Sequence, residues 1–211
     1  DWYWNRQNVR YIMNSDGYRA PEWSECPWNA SVLLFGCSHA FGVGLDESQT
    51  LSHVLAPLIN KPVINLGAGG TNTMFQWTNS VILRKHNIRP KAVIYLWPEA
   101  ARCLEYTNLS KVDTQLWGPW DDKGFGVEWV IHPSHGIVYR EYVMDCCELM
   151  WDCPVLHYEL SVSNSLSQPS PRSNILTQID YARDMLHSGP ESIQGWAKTI
   201  SEELLNKFYA D

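Results

Sequence analysis

A serine near the start of the chain and an aspartate–histidine pair near its end have the residue types and surroundings for nucleophilic hydrolysis. Ser38 lies in Phe35-Gly36-Cys37-Ser38-His39-Ala40-Phe41-Gly42, which closes the apolar run Val32-Leu33-Leu34-Phe35 and then turns toward a helix. The carboxyl end of a buried strand is where an open α/β sheet exposes a reactive side chain. Far downstream, Asp184-Met185-Leu186-His187 places an acid close enough to bond the imidazole from the same short loop. Serine chemistry needs such a base, an acid to orient it, and N–H donors for the developing oxyanion. Ser38 is thus the expected nucleophile, His187 the base and Asp184 the acid, with Asp180 a less favourably spaced alternative. Singly, a serine in a turn is commonly a cap and a D-x-x-H pair arises by chance, so the order of elements has to carry the reading.

Positioning these groups takes a sheet. Val32 to Phe35 reads as a first buried strand, Pro62 to Leu66 as a second, Ala92 to Trp97 as a third ended by Pro98, and Pro154 to Leu160 as a fourth. Leu51, Val54, Leu55 and Leu58 recur at helical spacing and predict a helix over 48–58, with others over 73–86 and 138–150. A last helix opens at Pro190, a residue favoured in a first turn, and carries Ile193, Trp196, Ala197, Ile200, Leu204 and Leu205 as its apolar stripe. Strands alternating with helices imply the α/β class: a three-layer α/β/α sandwich around a mostly parallel, flavodoxin-like sheet. Residues 1–30, rich in aromatics and turn formers, read as an extended arm packed on a single domain over 31–211. Within that domain 105–136 reads as a long irregular excursion and 161–173 as a polar loop.

Composition narrows the function classes. With 211 residues, 45% hydrophobic and 18% charged, the chain can bury a substantial core and is not of disordered type. A net charge of −7 without a compensating basic run argues against nucleic-acid partners. No apolar run approaches the roughly 20 residues of a membrane-spanning helix, so no membrane partner is expected. Six scattered cysteines, none in a CxxC pair, read as reduced thiols. With no signal-like pattern at Asp1-Trp2-Tyr3-Trp4, the expected location is cytoplasmic. Eleven tryptophans are many for this length, and most read as packing. Trp117 and Trp120, beside Asp121 and Asp122, have the aromatic-plus-acid character that suits a sugar ring. His39 and Trp97 join them as candidate substrate-binding residues.

Three blocks in order resemble the SGNH (GDSL-like) hydrolase family. Gly36-Cys37-Ser38-His39-Ala40-Phe41-Gly42-Val43-Gly44 is similar to the family's first block, with Cys37 where an aspartate is usual. Asn65-Leu66-Gly67-Ala68-Gly69-Gly70-Thr71 is similar to the second, whose glycine gives a backbone N–H to the oxyanion; spacing from Asn65 makes Gly70 the match. Asp184-Met185-Leu186-His187, followed by Gly189-Pro190 opening a helix, resembles the fifth. Asn14-Ser15-Asp16-Gly17-Tyr18-Arg19 resembles a leader found upstream of the first block in some members. The resemblance implies ester hydrolysis with no cofactor, and an oxyanion hole from the N–H groups of Ser38 and Gly70.

The third block departs from the pattern. Where the family places glycine-x-asparagine-aspartate, this chain reads Trp97-Pro98-Glu99-Ala100, with Glu99 at the position of the oxyanion-binding Asn. An ionised Glu accepts hydrogen bonds and repels an oxyanion. Arg102 is expected either to supply positive charge or to pair with Glu99, and Asn72 is an alternative donor. Losing one such donor costs on the order of 100- to 1,000-fold in rate. Other motifs are weaker. Gly67-Ala68-Gly69-Gly70 lacks a Walker lysine, and Ile131-His132-Pro133-Ser134-His135 lacks the helix of a zinc motif, so no metal or cofactor is expected. The sequence therefore predicts a serine esterase acting on a small-molecule or carbohydrate ester, an O-acetyl sugar being the favoured type. An O-acyltransferase would use the same residues. A scaffold that has lost catalysis would instead bind carbohydrate or a protein partner.

Overall fold

The computed structural model of the protein describes residues 9–100, 102–108, 113–117, 133–161 and 169–208. Five parallel strands form one sheet, in the order β2 (Val63–Gly67), β1 (Val32–Gly36), β3 (Ala92–Trp97), β6 (Val155–Ser161) and β7 (Asn174–Thr177). β1 and β3 are buried along their whole length, as strands covered on both faces must be. The two-residue alternation divides their side chains between two cores. Val32, Leu34, Ala92, Ile94, Leu96, Leu156 and Tyr158 face one side. Leu33, Phe35, Val93, Tyr95 and Trp97 face the other.

Helices close both faces. α2 (Leu51–Ile59) and α5 (Pro190–Phe208) cover the first core, the latter through Ile193, Trp196, Ala197, Ile200 and Leu204. α3 (Thr73–Lys85) and α4 (Pro133–Met150) pair over the second, where Val143, Met144, Cys147 and Trp151 are buried. The short α1 (Ser38–Phe41) follows β1 directly. This is the three-layer α/β/α arrangement expected from the alternation of elements.

Three elements depart from the sequence reading. β7 has no counterpart there: only Leu176 of its four residues is buried, so an edge strand of this kind leaves no alternating pattern. The excursion at 105–136 is not irregular throughout. It contains an antiparallel pair, β4 (Cys103–Asn108) with β5 (Asp113–Trp117), whose polar residues carry little strand signal. α4 begins at Pro133 rather than near Val138, a proline opening the first turn as it does in α5. No helix among the described residues is long and apolar enough to cross a membrane.

Candidate active site

Ser38 is delivered by an abrupt change of backbone. β1 ends at Gly36, Cys37 leaves strand geometry, and Ser38 is the first residue of α1, only 8% exposed. Gly67 makes room for that helix, since a Cβ there would stand 2.5 Å from Phe41 N. Asn65 then fastens it: Nδ2 donates to Ala40 O at 2.9 Å while Oδ1 accepts from Gly67 N–H at 2.9 Å. Ser38 Oγ is not spent on capping. Its hydrogen-bond contact among the described residues is a long one, 4.0 Å to Cys37 Sγ.

Asp184 and His187, the expected acid and base, lie on the loop between β7 and α5. Asp184 is 4% exposed; its Oδ1 accepts from Leu186 N–H at 3.1 Å and His187 N–H at 3.0 Å, and its Oδ2 bonds His187 Nδ1. Met185 adopts a left-handed backbone, φ 58°, that keeps this loop tight. Burial alone would push the Asp184 carboxyl up, but the N–H and ring of His187 and the N–H of Leu186 outweigh it and hold the group below its ordinary range. An ionised Asp184 can only accept, so Nδ1 carries the imidazole proton and Nε2 is left as the basic nitrogen. Asp180, the alternative acid, is otherwise engaged: it caps α5 by accepting from Glu191 N–H at 2.9 Å and Ser192 N–H at 2.7 Å.

Several contacts hold this loop beside the Ser38 segment, an ion pair between Arg183 and Asp46 among them. Gly44 O accepts from Arg183 N–H at 3.4 Å, and a Cβ on Gly44 would lie 2.8 Å from Ala182 Cβ, so only glycine admits the loop this closely. His39, next to Ser38, packs its ring on His187 with centroids 4.8 Å apart, and its Nδ1 lies 3.1 Å from Ser188 Oγ. Arg19 stabilises the first side of the junction. Asn14 Oδ1 accepts from Tyr18 N–H at 2.9 Å to form the preceding turn, and the buried Arg19 donates to Gly42 O at 2.8 Å and Leu45 O at 2.9 Å. It also pairs with Glu47 at 2.7 Å. In the sequence Asn14–Arg19 stands out only through resemblance, and nothing local points to Ser188 or to the role of Arg19.

The remaining candidates divide. Gly70 lies in the turn after β2, with no heavy atom of the described residues within 4 Å of where a Cβ would stand. Asn72 caps α3, its Oδ1 accepting from Phe75 N–H at 3.0 Å, which leaves the amide nitrogen as its donor end. Arg102 Nε is 3.6 Å from Glu99 Oε2, and Nη1 donates to Thr71 O at 3.4 Å. The third-block glutamate thus has a cation beside it that also reaches the second-block loop. Trp97 is a correction. It is 2% exposed, stacked on Tyr95 at 4.7 Å, and its indole N–H donates to His157 Nδ1 at 3.0 Å. Alternation along β3 turns it into the core, away from any substrate. Of Trp117 only the backbone, in β5, is described; Trp120 and the H-x-x-H stretch fall outside the residues whose side chains are described.

His39 is pushed down to about 3, first by burial, then by the charge of His187 and that of Arg102. An unfolded chain protonates this imidazole near 6.5 whereas the folded one refuses the proton until about 3. Folding stability is therefore expected to fall as pH drops through that window. Calorimetric melting should show a temperature flat above neutrality and declining from about pH 6.5, and His39→Phe should flatten part of the decline. A melting temperature unchanged between about pH 7 and 5 would contradict the assignment.

No protein-family model matches the chain, and no curated protein matches its sequence. Solved structures share its fold. A protein placed in the lipolytic G-D-S-L family from Desulfitobacterium hafniense DCB-2 matches at 12% identity and a TM-score of 0.52, over 82% of this chain and 99% of its own. The acetyl xylan esterase Est2A from the rumen bacterium Butyrivibrio proteoclasticus matches at 12% identity and 0.51, over 87% of this chain and 65% of its own. A carbohydrate esterase family 2 enzyme with its carbohydrate-binding domain, from Corynascus thermopiles (Myceliophthora fergusii), matches at 9% and 0.52, over 87% and 68%. The chain has the SGNH-hydrolase fold, with its sequence far removed from theirs.

Proposed function

We propose that the protein is a serine esterase that cleaves a carboxylic ester, with an acetyl group on a carbohydrate as the favoured substrate. One observation carries the reading. Asp184 makes three hydrogen bonds within its loop, two of them to His187, whose imidazole packs on the residue adjoining Ser38. In the proposed reaction Ser38 Oγ attacks the ester carbonyl while His187 Nε2 takes the hydroxyl proton. The tetrahedral oxyanion is held by the N–H groups of Ser38, which as a first helical residue has no intrahelical acceptor, and of Gly70. Collapse breaks the ester C–O bond, His187 returns the proton to the departing alcohol, and water repeats the sequence on the acyl-serine. Neighbours of the same fold named as an acetyl xylan esterase and a carbohydrate esterase favour a sugar ester.

The test is p-nitrophenyl acetate turnover by the purified protein, together with fluorophosphonate labelling located by peptide mass spectrometry. Turnover with the label on Ser38 supports the reading. No turnover and no label would favour the binding module, for which a glycan array is the next assay.

Glu99 supplies a second expectation. Glu99→Asn replaces an acceptor with an amide donor and releases Arg102 from its ion pair. It is expected to raise kcat on acetate esters by about tenfold, a fraction of what a well-placed oxyanion donor provides. A fall in kcat would show that Glu99 itself contributes.

A further inference from the structure

His39 follows the candidate nucleophile, Ser188 follows the candidate base, and the two are bonded to each other. His39 Nδ1 lies 3.1 Å from Ser188 Oγ and 3.4 Å from Ser188 N. A backbone N–H can only donate, so Nδ1 is the acceptor and the ring proton sits on Nε2. Ser188 is enclosed and His39 is half-buried. Ser188 is 2% exposed, and the His39 ring stands against His187 on one side and Trp196 of α5, with centroids 6.4 Å apart, on another. Ser188 is in turn held by its own backbone. It bridges Tyr181, and its neighbours close the loop through Ala182 N–H to His187 O at 2.7 Å and Gly189 N–H to Asp180 O at 3.1 Å. An apolar ring would fill the space beside His187 without needing a partner; a ring nitrogen buried there has to be satisfied. Here its partner is the catalytic loop.

We propose that His39 is a positioning residue whose hydrogen bond to Ser188 clasps the Ser38 helix to the His187 loop and sets the approach of nucleophile to base. The inference rests on the esterase reading above. The other ties, Gly44 O to Arg183 N–H at 3.4 Å and the ion pair of Arg183 with Asp46, grip the loop ahead of Asp184. That leaves the His187 end to the clasp. A misplacement of about 1 Å at a reacting pair costs on the order of 100-fold in rate, so a contact of this size is kinetically visible.

The test is steady-state p-nitrophenyl acetate kinetics, with thermal melts, on the parent, Ser38→Ala, His39→Phe, Ser188→Ala, the His39→Phe/Ser188→Ala double variant and His39→Asn. His39→Phe and Ser188→Ala are each expected to lower kcat by about 10- to 100-fold with KM within about twofold. The double variant should be no slower than the slower single one, because both remove one contact. His39→Asn, which keeps a polar atom near the Nδ1 position, should recover most of the loss. Should His39→Phe fail to fold, Ser188→Ala and His39→Asn decide. Parent-like kcat in Ser188→Ala, multiplicative losses in the double variant, or a His39→Asn as slow as His39→Phe would each overturn the clasp. A parent no faster than Ser38→Ala has a different signature: the esterase reading itself fails, and the clasp with it.

Discussion

Ser38→Ala is expected to lower kcat on p-nitrophenyl acetate by about 10,000-fold or more, and Asp184→Asn by about 10,000-fold, with KM little changed in either. In the proposed mechanism the serine variant removes the atom that forms the covalent bond. The Asp184→Asn variant is more instructive, because it keeps the loop. The amide oxygen it introduces can still accept from Leu186 and His187 N–H, the bonds that now measure 3.1 and 3.0 Å. The amide NH2, however, replaces the oxygen facing His187 Nδ1, and a donor there forces the imidazole proton onto Nε2. The base then meets Ser38 already protonated on the nitrogen that must accept. Asp180→Ala is the control. It loses the cap that receives Glu191 and Ser192 N–H, so it should cost about 1 kcal/mol of stability while leaving kcat near the parent value. Kinetics paired with thermal melts separates the two aspartates. An Asp184→Asn protein as fast as the parent would remove Asp184 from the proposed mechanism.

Much of this arrangement is legible in the sequence because it is local. Val32 to Phe35 is apolar at every position, as suits a strand covered on both faces, and the small residues after it announce the turn that places Ser38. Asp184 and His187 are three residues apart and bond through a loop they largely build themselves. The unread features are those made by residues distant in sequence. Arg19 shows no local sign that it will meet the carbonyls of Gly42 and Leu45, and Ser188 is one polar residue among many. Trp97 misleads for a related reason. Its place at a strand end suggests the site, but its position in the two-residue alternation, on the side of Val93 and Tyr95, sends it into the core. The third block illustrates both cases: Glu99 is readable as a departure, and the structure adds that Arg102 stands beside it while linking two loops.

Another long-range contact holds the third block in place, and its loss should bring a large stability change. Arg140 of α4 is fully buried, with Nη2 2.8 Å from Glu159 Oε2 of β6 and Nη1 donating to Pro98 O at 3.0 Å. Glu159 is itself buried, and its other oxygen accepts from Ser170 N–H at 2.8 Å. Burial pulls the Arg140 guanidinium below its ordinary range, an effect that the neighbouring Glu159 and Glu141 only partly offset. Arg140→Met leaves a buried carboxylate without its cation, a loss that costs about 3–5 kcal/mol. Replacing both partners, Arg140→Met with Glu159→Leu, removes the stranded charge and should recover part of that stability, the Ser170 N–H being left without its carboxylate acceptor. The double variant still lacks the donor to Pro98 O, one residue before Glu99. It should therefore be more stable than the single variant yet turn over p-nitrophenyl acetate more slowly than the parent, which separates the pair's contribution to folding from its hold on the site. Urea unfolding with an unchanged m-value checks the first part. A single variant as stable as the parent would show that Glu159 does not need its arginine, and a double variant with parental kcat would show that the Pro98 contact does not set the site.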